Sequence, residues 1–268
     1  MKYLSLFSGI GGFEKAIQNV LPDAECIGFS EINKYASAIY RYHYPEHKEL
    51  GNVRDIIPEQ LPDFDLLVGG FPCQTFSIAG KRAGFDDTRG TLFFEIARIL
   101  RDKRPANFVL ENVEGLLSHD ESKTFQTILG VLSDLGYRVE WQVLNSKHFG
   151  VPQNRPRVFF VGHLGKGSGQ QVFPLESEAE RYTPRDDGLA NCITAGQSKE
   201  SFLLENMQLR RLTPIECERL QGFPDDWTKY GIIDGKKITI SDTQRYKCCG
   251  NAVTTNVIEA IIRKGINE

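Results

Sequence analysis

The chain has 268 residues, with 32 Lys and Arg against 35 Asp and Glu, a formal net charge of −3. With 40% hydrophobic and 25% charged residues, it has the make-up of a soluble globular protein of one large α/β domain with a modest annex. This excludes a surface coated in basic residues, though not a local basic cleft, and no run approaches the roughly 18 apolar residues of a membrane span.

Taken in chain order, residues 3–7 read as a short apolar strand that Ser8 and a glycine cluster interrupt, which is unlike a signal peptide. Residues 13–21 have helical apolar spacing, 25–30 a second strand, and 34–44 a helix stopped by Pro45. The continuous apolar run 64–68, ending in Gly69-Gly70, predicts a buried strand. Helices at 92–100 and 125–135 alternate with strands at 108–110, 139–144 and 158–161. Such alternation predicts a mostly parallel sheet covered on both faces, with ligands at the carboxyl ends of the strands. Residues 8–13, Glu31, 69–77 and 111–113 are then expected on one rim. After Gly162 the pattern changes, and residues 163–209 carry four basic against seven acidic side chains. A helix over 212–222 opens with Thr213 as cap and Pro214 in its first turn. A hairpin-like stretch punctuated by Gly235 and Asp242 and an amphipathic helix over 252–263 close the chain.

Several junctions carry residues suited to chemistry. Phe7-Ser8-Gly9-Ile10-Gly11-Gly12-Phe13 joins the first strand to the first helix, where glycines admit a ligand to the backbone amides. The dinucleotide fingerprint needs glycine at position 14; Glu14 stands there, and its carboxylate would repel a pyrophosphate. Glu31 ends the second strand, where ribose hydroxyls can be bound. An adenosine ligand without phosphates fits both, as does a plain glycine turn beside an exposed Glu. Gly69-Gly70-Phe71-Pro72-Cys73-Gln74 sets a cysteine at the mouth of a buried strand. A thiol of pKa about 8.5 needs an electropositive pocket to react, which the loop with Ser77, Lys81, Arg82 and Arg89 helps to supply. The alternative for a free cysteine is a small buried hydrophobe, and the other five, including Cys248-Cys249, read that way. With no Cys-x-x-Cys pair and no zinc spacing among the five histidines, reduced thiols, a cytoplasmic protein and no metal site are expected. Glu111-Asn112-Val113 follows another strand, and a desolvated carboxyl there can donate a proton to a ring nitrogen. Gln153, Arg155 and Arg157 alternate, so in extended chain they share one face, a fork for a carboxylate, phosphate or base oxygen. A pair of surface arginines is the alternative.

These blocks occur in order with Arg211-Leu212-Thr213-Pro214-x-Glu216-x-x-Arg219-Leu220-Gln221-Gly222-Phe223-Pro224 and Gly250-Asn251-Ala252-Val253. Together they resemble the cytosine-5 DNA methyltransferases of bacterial and phage type, from about residue 3 to residue 260 except over 163–190. The resemblance implies an α/β fold: a Rossmann-like S-adenosylmethionine-dependent methyltransferase sheet with a small target-recognition domain. It implies a catalytic and cofactor-binding domain of residues 1–163 completed by 245–268, with 164–244 as the target-recognition domain. Cys73 is the implied nucleophile toward C6 of cytosine, and Glu111 the acid at N3. C5 then takes the methyl group of S-adenosyl-L-methionine, and loss of the C5 proton with release of Cys73 restores the ring. Arg157 is implied at the base O2 and at Glu111, with Arg155 on backbone or bracing the site. The Phe71 carbonyl is implied as acceptor for the cytosine amino group, and Gln74, Ser77 and Arg89 as substrate contacts in a loop over 74–89 that closes on a flipped base. For the cofactor, Phe7, Ser8, Gly9, Gly11, Gly12 and Glu31 match methionine and ribose contacts. Asn52, with Val53, stands where the family often has Asp for the adenine amino group, and Leu92 and Asn251 match further contacts.

The implied partner is double-stranded DNA, with a restriction endonuclease, if any, as a separate protein, no membrane, and a monomer as the working unit. About 25 residues, 165–189, remain for the variable part, so a short or relaxed target is expected. Lys81, Arg82, Arg89, Arg155 and Arg157 are expected to supply local positive potential. The transfer-RNA-methylating branch of the fold is the second reading, because Cys192-Ile193-Thr194 nearly matches its Cys-Phe-Thr element. The block 211–224 and Ile240-Ser241-Asp242-Thr243-Gln244-Arg245-Tyr246 favour DNA. A noncatalytic nucleic-acid-binding relative is the third; intact Cys73, Glu111, Arg155 and Arg157 oppose it.

Overall fold

The computed structural model describes residues 1–72, 92–165, 171–175, 190–191, 202–205 and 208–266. Strand β1 (Lys2–Leu6) leads through a glycine turn to α1 (Gly12–Val20), and β2 (Glu25–Ser30) to α2 (Lys34–His43). Helix α2 starts where the Asn33 side chain accepts from the amides of Tyr35 and Ala36, and it ends just before Pro45. Then follow β3 (Leu66–Gly70), α3 (Leu92–Lys103), β4 (Asn107–Val113), α4 (Lys123–Asp134) and β5 (Tyr137–Asn145). The short β6 (Gln153–Asn154) precedes the long β7 (Pro156–Leu164).

The six-stranded sheet has the order β2-β1-β3-β4-β7-β5. Its first four strands run parallel, and β7 runs antiparallel to both β4 and β5. No α-helix separates β5 from β7, only a single 3-10 turn at Ser146–His148 and the short β6, so the chain returns by a short connection and reverses direction. Strand order switches at β1, which opens a crevice at the carboxyl ends of β1 and β3.

Period-two alternation sorts the strand side chains onto the two faces. Leu4, Leu6, Leu67, Phe108, Leu110 and Phe160 pack with residues of α3 and α4. Tyr3, Leu66, Val68, Val109 and Phe159 pack on the other face with α1 and the last helix.

The remaining elements are β8 (Ala190–Asn191), β9 (Phe202–Glu205), β10 (Gln208–Arg211), α5 (Pro214–Leu220), β11 (Tyr230–Ile233), β12 (Lys236–Thr239), α6 (Asp242–Asn251) and α7 (Thr255–Gly265). A reciprocal capping box between Thr213 and Glu216 opens α5, with Pro214 in its first turn. β8 pairs with β6 in parallel, and β9 with β10 antiparallel. Phe223, Trp227 and Ile240 share a buried cluster with Ile10, Phe29, Ile39 and Tyr40, so the chain after α5 packs on the large body beside β2 and α2.

Residues 171–175 also belong to the body. Val172 and Phe173 are buried beside α7. Glu140 Oε2 accepts from their amides at 2.9 and 3.0 Å, and Gln142 exchanges hydrogen bonds with Leu175. Val172 and Phe173 thereby tie this stretch to the large body, while Gln171 and Pro174 stay exposed. Apart from Gly165 and residues 171–175, the stretch 165–189 expected from the sequence to read the target lies outside the described residues. Among the described residues no helix is long and apolar enough to cross a membrane, and no cluster of His, Cys, Asp and Glu could hold a metal.

Candidate active site

The carboxyl ends of β3 and β4 lie side by side, with Gly70 opposite Glu111. The Glu111 side chain is only 13% exposed, and Arg157 Nε stands 3.1 Å from its Oε1. Burial raises the Glu111 carboxyl above its ordinary pKa, and the charges of Arg157 and Arg155 offset part of that rise. A Cβ at position 70 would lie 3.0 Å from Glu111 Oε2, so the absence of a side chain there leaves room for the carboxyl. The neighbouring Asn112 side chain is buried and donates to the Phe71 carbonyl at 3.0 Å, while its oxygen accepts from the Val113 amide at 2.8 Å. Asn112 thus fixes the backbone one step before Pro72 and two before Cys73. Sequence reading quoted it within a motif but gave it no task.

Gln153, Arg155 and Arg157 do not converge as a fork. Gln153 is fully buried and donates to the Leu220 carbonyl at 2.8 Å. Arg155, 3% exposed, donates from Nη2 to the carbonyls of Gly250 at 3.0 Å and Ala252 at 2.8 Å. Arg157 reaches the Glu111 carboxylate, and its Nη1 donates to the Pro156 carbonyl at 2.7 Å. The break between β6 and β7 aims the three side chains in different directions, which strict alternation in one strand would not. Arg157 thus pairs directly with Glu111, and Arg155, whose charge also acts on that carboxyl, braces the start of β7 against the end of α6.

Around the glycine turn the predicted contacts divide by orientation. Phe7, Gly9 and Gly11 have positive φ of 54, 57 and 86°. Gly9 faces open space, and its amide donates to Glu31 Oε2 at 2.8 Å. Glu31 Oε1 accepts from the Asn33 amide at 2.7 Å, so two backbone amides hold this carboxylate in place. Gly11 and Gly12 face protein instead: a Cβ would come within 2.7 Å of the Tyr44 ring and of Val253 Cγ1 respectively. The Ser8 hydroxyl points inward, 3.2 Å from the Ser5 carbonyl and 3.3 Å from that of Ser30. Glu14 also points inward, fully buried, so it faces no pyrophosphate, and its charge, contrary to expectation, does not repel one. Asn52 caps a short turn by accepting from the Arg54 amide at 3.1 Å, and Val53 beside it is buried. Leu92 begins α3 and packs on the core, and Asn251 ends α6 exposed. Ile32, next to Glu31, is 75% exposed, an apolar surface that sequence reading missed. Its only signal there was adjacency to Glu31. Cys73, Gln74, Ser77 and Arg89 lie outside the described residues, as do Lys81, Arg82 and Cys192-Ile193-Thr194.

Known proteins resemble this chain in sequence and fold. The model of the "C-5 cytosine-specific DNA methylase" family matches residues 1–187 and 174–267. Type II methyltransferase M1.ScrFI of Lactococcus lactis subsp. cremoris is 37% identical, covering 98% of this chain and 77% of its own. Type II methyltransferase M.NlaX of Neisseria lactamica is 36% identical, covering 97% and 94%. The first alignment extends over 311 positions although this chain has 268 residues, so that relative carries additional segments. Among solved structures, the S. pombe Dnmt2 methyltransferase matches with TM-score 0.77 at 21% identity, over 98% of this chain and 97% of that one. At that identity it speaks for the fold alone. A matching family model over nearly the whole length, with relatives aligned across nearly all of this chain, decides the matter: the chain belongs to the C-5 cytosine-specific DNA methylase family, a family of DNA cytosine-5-methyltransferases.

Proposed function

We propose that this enzyme transfers a methyl group from S-adenosyl-L-methionine to C5 of a cytosine flipped out of duplex DNA, through a covalent adduct on Cys73. The observation that carries the reading is Glu111: a largely buried carboxyl with raised pKa, touched by Arg157 and paired across adjacent strands with Gly70, the residue before Phe71. Attack by the Cys73 thiolate on C6 forces electron density onto the ring. Protonation of N3 by Glu111 accepts that density, and Arg157 holds the carboxyl in place and faces the base O2. The Phe71 carbonyl, fixed by Asn112, accepts from the cytosine amino group, which thymine lacks. C5 bonds the transferred methyl, then loses its proton as the electron pair of that bond expels the Cys73 thiolate and restores the ring.

The residues at the β1 and β2 ends fit the methyl donor. Gly9 leaves open space, Glu31 is held ready for ribose hydroxyls, and Ile32 offers an apolar face for a purine. Asn52 and Val53 lie along the adenine edge. When bound, the donor supplies an electrophilic methyl group on a sulfonium. Reading of the target falls to residues 176–211, because 171–175 and the chain after α5 are parts of the body.

Cys73→Ser is expected to abolish transfer of labelled methyl to unmethylated bacterial DNA. Bisulfite sequencing of host DNA expressing the wild type should show methylated cytosines at a short target. Methylated transfer RNA beside unmodified DNA would reverse the substrate, and transfer surviving in Cys73→Ser would refute the nucleophile.

A further inference from the structure

The turn that presents Gly9 does not stand on its own. Three residues at positive φ within five positions make it costly to order. Its underside rests on rings from two distant parts of the chain: Tyr44, which follows α2, and Phe223 and Trp227, which follow α5. A Cβ on Gly11 would press on Tyr44 and one on Gly12 would touch Phe223 Cζ at 3.4 Å, while the Ile10 side chain is buried among the same rings. The Ile10 carbonyl accepts from Trp227 Nε1 at 2.9 Å.

Trp227 is itself fixed from several sides. Its ring stacks on His43 with centroids 3.6 Å apart and planes 4° apart, and its carbonyl accepts from His43 Nε2 at 2.7 Å. Phe223 lies 5.2 Å away and Tyr44 meets it edge-on at 6.2 Å. Asp226, at φ 60°, turns the chain so that the indole, 8% exposed, points back under the glycine turn. A buried N–H aimed at one carbonyl of a conformationally costly loop fixes that loop before any ligand arrives.

We propose that Trp227 is a positioning residue for the cofactor: its indole N–H fixes the Ile10 carbonyl, and with it the Gly9–Gly11 turn that receives S-adenosyl-L-methionine. The inference rests on the methyl-donor reading above. It gives the chain after α5, which a sequence places beside the target-reading region, a task in cofactor affinity. Preorganisation of this kind lowers the cost of binding and leaves the transfer step itself unchanged.

Trp227→Phe keeps a ring against His43 and removes the donor. The dissociation constant for S-adenosyl-L-methionine should rise about three- to tenfold, with kcat at saturating cofactor within about twofold of the wild type. An unchanged constant, or a loss confined to kcat, overturns the proposal. A second measurement needs no change at Trp227. The chain has two tryptophans, and Trp141 is 43% exposed on β5, so Trp141→Phe leaves Trp227 as the sole emitter. Without ligand it should already emit as a buried, hydrogen-bonded indole and shift little as S-adenosyl-L-methionine is titrated in; a large shift at saturation would mean that the cofactor itself orders the turn, which overturns the proposal even if Trp227→Phe does not fold. A wild type that binds no S-adenosyl-L-methionine would instead remove the methyl-donor reading, and this inference with it.

Discussion

Two buried carboxyls show how differently one side chain can be used. Glu111 has Arg157 at 3.1 Å, whereas Glu14 is fully buried and neither of its oxygens has a hydrogen-bond partner among the described residues. Burial therefore pushes the Glu14 carboxyl up to about 7, with Ser5 and Tyr40 offsetting only part of the rise. The folded chain keeps this proton to higher pH than the unfolded chain, whose carboxyl has an ordinary value. Stability from this group is present at acid pH and falls as pH rises from about 4.5 through 7, by up to about 3 kcal/mol. His43, His47 and His163, which burial holds below their ordinary pKa, act in the opposite sense at lower pH. The difference between wild type and Glu14→Gln isolates the carboxyl. Thermal melts from pH 5 to 8 should converge at the acid end and show the variant gaining relative to wild type above neutrality; parallel curves would refute the assignment. The identity of Glu14 was plain in the sequence, but the direction in which a first-turn side chain points was not. The same holds for Gln153, Arg155 and Arg157: residue types and spacing were legible, yet the break between β6 and β7 decides which of them meets Glu111.

At the level of elements, strands and helices with strong periodicity were legible because burial on two faces imposes it. Val109 between Phe108 and Leu110 is the pattern in miniature. The antiparallel return of β7 and the anchoring of residues 171–175 were not, since both depend on pairing across the sheet. Long-range side-chain clamps are equally hidden, and Arg98 on α3 is one. It donates from Nη1 to the Ile56 carbonyl at 2.8 Å and from Nη2 to the Val53 carbonyl at 3.2 Å, with Glu95 pairing its Nη2 at 2.9 Å. The turn after Asn52 is thereby tied to the helix, while the Ser30 hydroxyl holds its other flank through the Gly51 carbonyl at 2.7 Å. Arg98→Met keeps the packing stem and leaves both carbonyls without that donor, a cost of about 1–3 kcal/mol. Hydrogen exchange at residues 52–56 should accelerate while the strands of the central sheet keep their protection. Unaltered exchange in that segment would show that the clamp is not what holds it.

For the whole molecule, the question is how a chain of net charge −3 holds a polyanion. Residues 163–209 contribute four basic and seven acidic side chains, so the region expected to read DNA does not attract it. Arg155 and Arg157, expected from sequence to add positive potential, both make contacts within the body: Arg155 with the carbonyls of Gly250 and Ala252, Arg157 with Glu111. The sequence expectation that Lys81, Arg82 and Arg89, in the segment after Cys73, attract phosphate can be tested directly. Each neutralised phosphate releases counterions, so three such contacts give a slope of about −3 in log affinity against log salt. Binding of this enzyme to unmethylated duplex DNA should follow that shallow slope, measured by fluorescence anisotropy over a range of salt concentrations. Replacing Lys81, Arg82 and Arg89 together by Gln should flatten it to about −1 or less. A wild-type slope of about −8 would mean that an extended basic surface carries the DNA. A slope unmoved by the triple substitution would place the contacts elsewhere. A slope as shallow as about −3 would assign most of the affinity to uncharged contacts, as the proposed flipped-base mechanism requires.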